Sequence, residues 1–239
     1  MMLINHRINF IFMLVMSIGL FISNHLFGVG YLDPKFSSTF LPTYYFLVPF
    51  SIWAYITYGK TLPSGLPHYL LSLIVLIPIG VMSIFTISHL AAWSLTFLLP
   101  MIDALFVGIS EELVYRGVIF SHMVPEKGLL KATFLSALFF SVLHSVNVIG
   151  GLSLTGMLSQ LISTFMAGLF FALFYYYTKN IYLIILYHFL FDYMLFTDIT
   201  IRFPIISQGY QFLTMLEIAL TLYLLYHYRK KRKTGNASC

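Results

Sequence analysis

Ser110-Glu111-Glu112-Leu113-Val114-Tyr115-Arg116-Gly117 sets two adjacent carboxylates and a guanidinium inside an apolar run. Leu98 to Ile109 before it holds one charge, Asp103, and Gly117 to Val124 after it holds no acid, lysine or arginine. A charged side chain in hydrocarbon costs roughly 2.5–3.5 kcal/mol on insertion scales, so these groups are driven inward, towards partners or water. Glu112 and Arg116 stand at i and i+4 with the acid on the N-terminal side, the better order for a helical ion pair. Glu111 is turned about 100° away and Arg116 does not claim it. It is left free for acid–base chemistry or for a ligand. Two histidines, His144 and His188, sit well inside other apolar runs, whereas His6, His25, His68, His89, His122 and His227 fall near run ends, where a ring reaches headgroups and water. His188 and Asp192 are i and i+4, so the acid can orient that imidazole and set its tautomer. Phe140 and His144 share the same spacing, which packs a ring beside the second imidazole.

The elements that position these groups are membrane spans. Hydrophobic residues make up 59% and charged residues 9% of the 239, against about 25% charged in a soluble domain. The class is all-α: a polytopic transmembrane helix bundle of about eight spans, with an active site inside the membrane. It forms one integral-membrane domain over residues 1–239, with a motif-bearing core at about 91–199 and a basic tail at 229–239. The expected spans are Ile8 to Phe27, Phe40 to Tyr58 bent at Pro42 and Pro49, Pro67 to Ile87, and a long or broken helix from Ala91 to His122 interrupted near Pro100. Then come Ala132 to Val148, Leu154 to Thr178, Ile181 to Thr197 and Gln211 to Tyr228. The first run is long and lacks a small-residue cleavage site, so it reads as a span and not as a signal peptide. Gly59 to Gly65 and Gly150-Gly151 are turns, and Tyr175-Tyr176-Tyr177 reads as an interfacial aromatic belt.

Eight spans place Arg7, Lys60, Arg116, Lys127, Lys131, Lys179 and the basic tail Arg229 to Lys233 on one side, eleven of the thirteen lysines and arginines. Lys35 and Arg202 fall on the other. That bias puts both termini in the cytoplasm of a multi-pass protein of the cell membrane. It also explains the net charge of +5 without a nucleic-acid partner. The one cysteine, Cys239, permits no intramolecular disulfide, and as the last residue it makes no prenylation box. Depth follows from about 1.5 Å of rise per residue. Counted from Ser121, Lys131 and Lys179, Glu111 lies about 15 Å deep, His144 about 20 Å, His188 about 14 Å and Asp192 about 20 Å at that rise. The polar groups of three separate spans therefore share one slab near mid-membrane.

Glu111-Glu112-x-x-x-Arg116, Phe140-x-x-x-His144 and His188-x-x-x-Asp192, in that order, resemble the three-motif signature of the CAAX protease and bacteriocin-processing family, also called Abi. These are intramembrane glutamic proteases, and the resemblance covers roughly residues 104 to 195. It implies that Glu111 is the general base that takes a proton from water, assisted by His144. His188 with Asp192 would hold the carbonyl oxygen as it becomes an oxyanion, Glu112 with Arg116 would be a structural pair fixing the motif helix, and Phe140 would support His144. Water is a poor nucleophile, and a carboxylate withdrawn from bulk solvent can activate it near neutral pH, while developing charge needs preorganised donors. The family carries Asn or Asp at the last position. Here it is Asp192, which is either protonated or acts only by orienting His188.

The resemblance further implies a peptide or small-protein substrate cut at the lipid bilayer, no cofactor and no metal. Eukaryotic relatives cut prenylated C-terminal peptides; bacterial ones are linked to leader peptides, peptide pheromones and bacteriocins. The Ile-, Phe- and Lys-rich composition fits a bacterial membrane. The rival of another class is a non-proteolytic membrane regulator, acting on a sensor kinase or conferring bacteriocin immunity. Three enzyme or transport alternatives fit less well. A zinc protease lacks its H-E-x-x-H, and no Glu is followed by His at i+3. A rhomboid-type serine site is matched only by Gly108-Ile109-Ser110, with Glu111 in place of its second glycine. A transporter would show an inverted repeat. Two structural expectations follow: Glu111, His144 and His188 converge on one cavity, and Glu112 pairs with Arg116 and not with the histidines.

Overall fold

The computed structural model describes residues 2–62, 68–90, 95–197 and 199–233. Pro63 to Gly65, Pro67, Ala91 and Cys239, on which some of the sequence expectations fall, lie outside the described residues. Within them every regular element is helical. α1 is Met2–Phe21, continued by a π-helical turn at Ile22–Leu26; α2 is Phe36–Tyr58 and α3 Tyr69–Leu90. α4, Leu95–Glu112, runs into a π-helical segment, Leu113–Phe120, and then α5, Ser121–Lys127. α6 is Leu129–Leu143, closed by a 3-10 turn at His144–Val148, and α7 is Leu154–Thr178. α8 is Ile181–Phe196, α9 a single turn at Ile199–Arg202, and α10 Pro204–Lys233. Each apolar run of the sequence is thus helical. Among the described residues four helices are long and apolar enough to cross a membrane, at Leu3–Leu26, Tyr69–His89, Leu129–Val148 and Leu154–Thr178.

Local signals end these helices where the chain must turn. Ser153 caps α7, its hydroxyl accepting from the Gly156 N–H at 3.1 Å. Lys179 closes α7 in the left-handed conformation, and Asn180 at once caps α8 by accepting from the Tyr182 N–H at 2.9 Å. Pro204 opens α10, where a missing N–H costs nothing. α2 continues through Pro42 and Pro49.

The break expected near Pro100 is not there. α4 continues through Pro100, and the regular ladder gives way instead at Leu113–Phe120, directly after the paired acids. There the Ser121 N–H reaches the Arg116 and Val118 carbonyls. Gly117 sits in this wider winding, and the Tyr55 ring of α2 occupies the space that a Cβ would take. Such π segments recur at functional sites.

Polar links sort the helix ends into two groups. At one end Asn5 meets His122 Nδ1 at 3.0 Å, the Lys60 N–H donates to Ser121 at 3.3 Å, and the His68 N–H donates to the Tyr177 carbonyl at 3.0 Å. At the other, the Tyr31 N–H donates to the Gly150 carbonyl at 2.7 Å and Asn24 to the Ile149 carbonyl at 3.1 Å, while His89 packs edge-on against Phe203. Two expectations are overturned. His122 is buried on Asn5 and does not reach towards headgroups. Tyr175 and Tyr177 are buried as well, Tyr177 donating to the Leu224 carbonyl of α10, so they are internal packing and not an exposed belt.

Glycine brings the site helices together. α4 packs most extensively on α8, and α6 on α7. A Cβ at Gly108 would stand 3.1 Å from the Ile185 carbonyl oxygen, so α4 and α8 touch backbone to backbone one turn before Glu111 and Glu112. A Cβ at Gly168 would stand 3.0 Å from Ala137 Cα, which draws α7 equally close to α6. Small residues at helix contacts are how membrane bundles gain packing without a hydrophobic drive between helices.

Candidate active site

α4 and the π segment carry Glu111, Glu112 and Arg116; α6 carries Phe140 and ends at His144; α8 carries His188 and Asp192. Glu112 and Arg116 are both wholly buried, and Arg116 Nη1 donates to Glu112 Oε1 at 2.8 Å. The same Oε1 also meets His188 Nδ1 at 2.8 Å. The expectation that Glu112 avoids the histidines is therefore wrong. The Gly108 contact places α8 close enough for a residue 76 positions away to share that oxygen.

The partner expected for His188 also needs refinement. Asp192 Oδ2 lies 3.3 Å from Nε2, while Nδ1 belongs to Glu112. Glu112 thus orients the ring, and Asp192 faces the nitrogen that points towards Glu111. Glu111 Oε2 is 3.9 Å from that Nε2, too far for a hydrogen bond, and this buried oxygen has no hydrogen-bond partner in the protein. Glu112 Oε1 carries both contacts, to Arg116 and His188, while Oε2 of each of the two acids has no hydrogen-bond partner.

His144 is held differently. Its Nδ1 lies 2.9 Å from the Phe140 carbonyl oxygen, which can only accept, so the proton sits on Nδ1 and Nε2 is the free acceptor. α6 tightens after Leu143, so His144 opens the 3-10 turn that continues it within the apolar stretch Leu129–Val148. Phe140 is the hub of the site. Its ring meets His144 edge-on at 5.0 Å and His188 at 6.0 Å, and the Arg116 guanidinium lies 4.2 Å from its centre. Phe171 of α7 takes the other side, 5.0 Å from the guanidinium and 5.0 Å from the His188 ring.

Glu111, Phe140, His144, His188 and Asp192 all line one cavity of about 1390 Å³, and Glu112 and Arg116 stand behind its wall. Its exposed lining includes Leu32 to Lys35, His89 and Arg202 at the end of the bundle away from the basic tail, and also Ser159 and Ser163 of α7 and Ile218 of α10 along its side. The arrangement offers an open carboxylate, an imidazole acceptor and an anchored imidazole around one space, a set suited to activating water beside a polarised carbonyl. Among the described residues no three His, Cys, Asp or Glu side chains are grouped as a metal site.

Comparison with protein families identifies the segment that carries these residues. Residues 91–194 match the family model of the type II CAAX prenyl endopeptidases, Rce1-like. The match holds all three motifs, from Glu111 to Asp192, and leaves α1 to α3 and α10 outside it. Curated proteins gave no significant match, and solved structures gave none.

Beyond the three motifs, Phe171, Asp103 and Glu217 also line this chamber. Phe171 belongs to no motif and gives no signal among the aromatics of α7. Asp103 is the one charge of the run before the motif. It is 2% exposed, accepts from the Ser37 hydroxyl at 2.8 Å, and lines the cavity. Glu217 faces the cavity from α10 and accepts from the Tyr187 hydroxyl at 2.8 Å. Both are acids within apolar helices, which is itself the signal that could have found them.

Proposed function

We propose that this chain is a metal-independent intramembrane endopeptidase with Glu111 as its base. The observation that carries the reading is the division of labour between adjacent acids: Glu112 Oε1 serves Arg116 and His188, while Glu111 lines the cavity with its Oε2 free of any hydrogen bond. A water seated there gives one proton to Glu111 and its other hydrogen bond to His144 Nε2. The resulting hydroxide attacks the peptide carbonyl carbon. His188, fixed through Nδ1 on Glu112, turns Nε2–H to the carbonyl oxygen as negative charge develops. The C–N bond then breaks and the proton held by Glu111 passes to the leaving amine, so the carboxylate is regenerated.

The protein lies in the cell membrane with the N-terminal end of α1 and the C-terminal end of α10 on the cytoplasmic side. Arg116 is sequestered on Glu112 and drops out of the flanking charges, but the bias survives, with Lys35 and Arg202 alone at the opposite end. The cavity mouth lies at that opposite end, so the substrate is a peptide or small protein presented from the outer face. Its size exceeds the roughly 300–1,000 Å³ of small-molecule pockets and suits an extended peptide.

The test is cleavage of a quenched peptide library by the detergent-purified protein, wild type and Glu111→Gln, with and without chelator. The expected result is hydrolysis by the wild type, unaffected by chelator, and none by Glu111→Gln with helicity unchanged. Activity lost to chelator and restored by zinc would overturn the metal-free mechanism. An active Glu111→Gln protein would remove Glu111 as the base.

A further inference from the structure

The proposed hydrolysis leaves one ordered polar chain in the cavity wall without a task. Tyr31, in the loop before α2, Asn147, in the 3-10 turn after α6, and Gln160 of α7 all line the chamber that holds Glu111, His144 and His188. Asn147 Nδ2 donates to Gln160 Oε1 at 2.9 Å, and Gln160 Nε2 donates to the Tyr31 hydroxyl oxygen at 2.9 Å. Each bond hands its direction to the next. The reverse order would place both N–H bonds of the Asn147 amide at the buried position that Oδ1 now holds unpaired, and orphaned N–H groups are rarer than orphaned carbonyls. The chain therefore ends on one donor, the Tyr31 O–H, for which no acceptor stands among the described residues.

This donor is held in place. The main-chain N–H of Tyr31 donates to the Gly150 carbonyl at 2.7 Å, while its hydroxyl accepts from Gln160, so the residue is fixed at both ends. A Cβ at Gly150 would stand 3.3 Å from Tyr31 Cβ, so the loop lies against the turn that follows His144. That turn also starts the polar chain. Residues three apart eclipse in a 3-10 helix, so Asn147 shares the face of His144. Burial holds the Tyr31 hydroxyl above the usual tyrosine range against the Gln160 hydrogen bond, with Asp192, Glu111 and Asp103 adding to the rise, so it keeps its proton. A neutral donor suits a neutral acceptor, and a peptide laid across the chamber presents main-chain carbonyls. Tyr31 stands outside the segment that matches the family model.

We propose that the Tyr31 hydroxyl donates to a main-chain carbonyl of the bound peptide and so fixes the register of the peptide beside His144. The carbonyl is a flanking one, because the oxygen of the bond being cut belongs to His188 in the proposed mechanism. The relay through Gln160 and Asn147 ties the donor to the turn that carries His144, so one element places both the peptide and the imidazole that assists the base. The proposal rests on the endopeptidase reading and names how the same chamber holds its substrate.

A thioamide scan tests it. Peptides are captured from the quenched library on immobilised Glu111→Gln protein, where no cleavage is expected. Each main-chain carbonyl oxygen of a captured peptide is then replaced in turn by sulfur, a weaker acceptor. One thioamide should bind about threefold to tenfold more weakly, the worth of one hydrogen bond. Tyr31→Phe in the same background should weaken the parent peptide by that factor and remove the penalty at that position alone, while the other thioamides keep theirs. Gln160→Glu, whose carboxylate accepts the Tyr31 proton, should do the same, and it reads the coupling where Tyr31→Phe does not fold. A protein that captures no peptide, or a scan in which no thioamide weakens binding, overturns the proposal whatever the variants do. Penalties undiminished at every position in Tyr31→Phe overturn the assignment to Tyr31. A carbonyl coupled to Tyr31, in peptides that the wild-type protein never cuts, refutes the protease reading but supports the Tyr31 contact; cleavage with no carbonyl coupled to Tyr31 does the reverse.

Discussion

Replacing Glu112 separates a structural acid from an orienting one. Its Oε1 holds two contacts at 2.8 Å, to Arg116 and to His188, and neither Glu112 nor Arg116 is exposed. Glu112→Leu leaves the Arg116 charge buried without its partner, a change that costs about 3–5 kcal/mol. For a chain of this size each kcal/mol moves Tm by about 2–4 °C, so the loss is roughly 6–20 °C by scanning fluorimetry in detergent. The double variant Glu112→Leu/Arg116→Leu removes both charges. Well-packed apolar residues commonly replace a buried ion pair at little cost, and the residual loss is the contact of Arg116 with the Phe140 ring, about 0.5–2 kcal/mol. Most of the Tm should therefore return. Activity should not, because His188 Nδ1 has lost its anchor in both variants. A drop on the order of 10²–10⁴ in kcat/KM, the usual worth of a positioned acid–base group, is expected to persist in the double variant. Recovery of cleavage together with stability would show that Glu112 only neutralises Arg116, and the argument for its hold on His188 would fail.

Two further predictions test the scaffold and the orientation. Gly108→Leu forces α4 away from the α8 backbone at Ile185 and Phe189, and should cost activity through loss of the Glu112–His188 contact even where the protein still inserts; normal cleavage by a stably inserted variant would refute the close approach. In a Cys239→Ser background, Lys35→Cys should react with a membrane-impermeant maleimide on intact cells while Lys230→Cys reacts only after lysis, and the opposite pattern would reverse the proposed topology.

What the sequence shows and what it hides divide along the range of the interaction. Spacing rules see one helix at a time. They found the Glu112–Arg116 pair, the approach of Asp192 to His188 and the Phe140 ring against His144, all at i and i+4. They could not see Glu112 on His188, because that contact depends on how near α8 lies to α4, and the cause is Gly108, a residue with no side chain to notice. The break in this long helix lies away from Pro100 for a similar reason. Proline is the visible breaker, but α4 absorbs Pro100, and the departure from regular winding follows the buried charges and Gly117 against Tyr55. Asn5 and Asn9 of α1 gave no signal by spacing; they are buried partners of His122 and Tyr115.

The distances around His188 also bear on the aspartate whose role the motif alone left open. Asp192 at 3.3 Å and Glu111 at 3.9 Å face the same nitrogen, so a single Nε2–H cannot serve both at hydrogen-bond range. In the resting site the proton goes to the nearer acid, and Glu111 stays open. That is the state a base must be in before water arrives. In the proposed reaction the substrate oxygen then competes with Asp192, and not with Glu111, for Nε2–H. Asp192 need not donate any hydrogen bond to contribute. In that proposed reaction it holds Nε2–H away from the base until the carbonyl takes its place, while Glu112 anchors the ring through Nδ1.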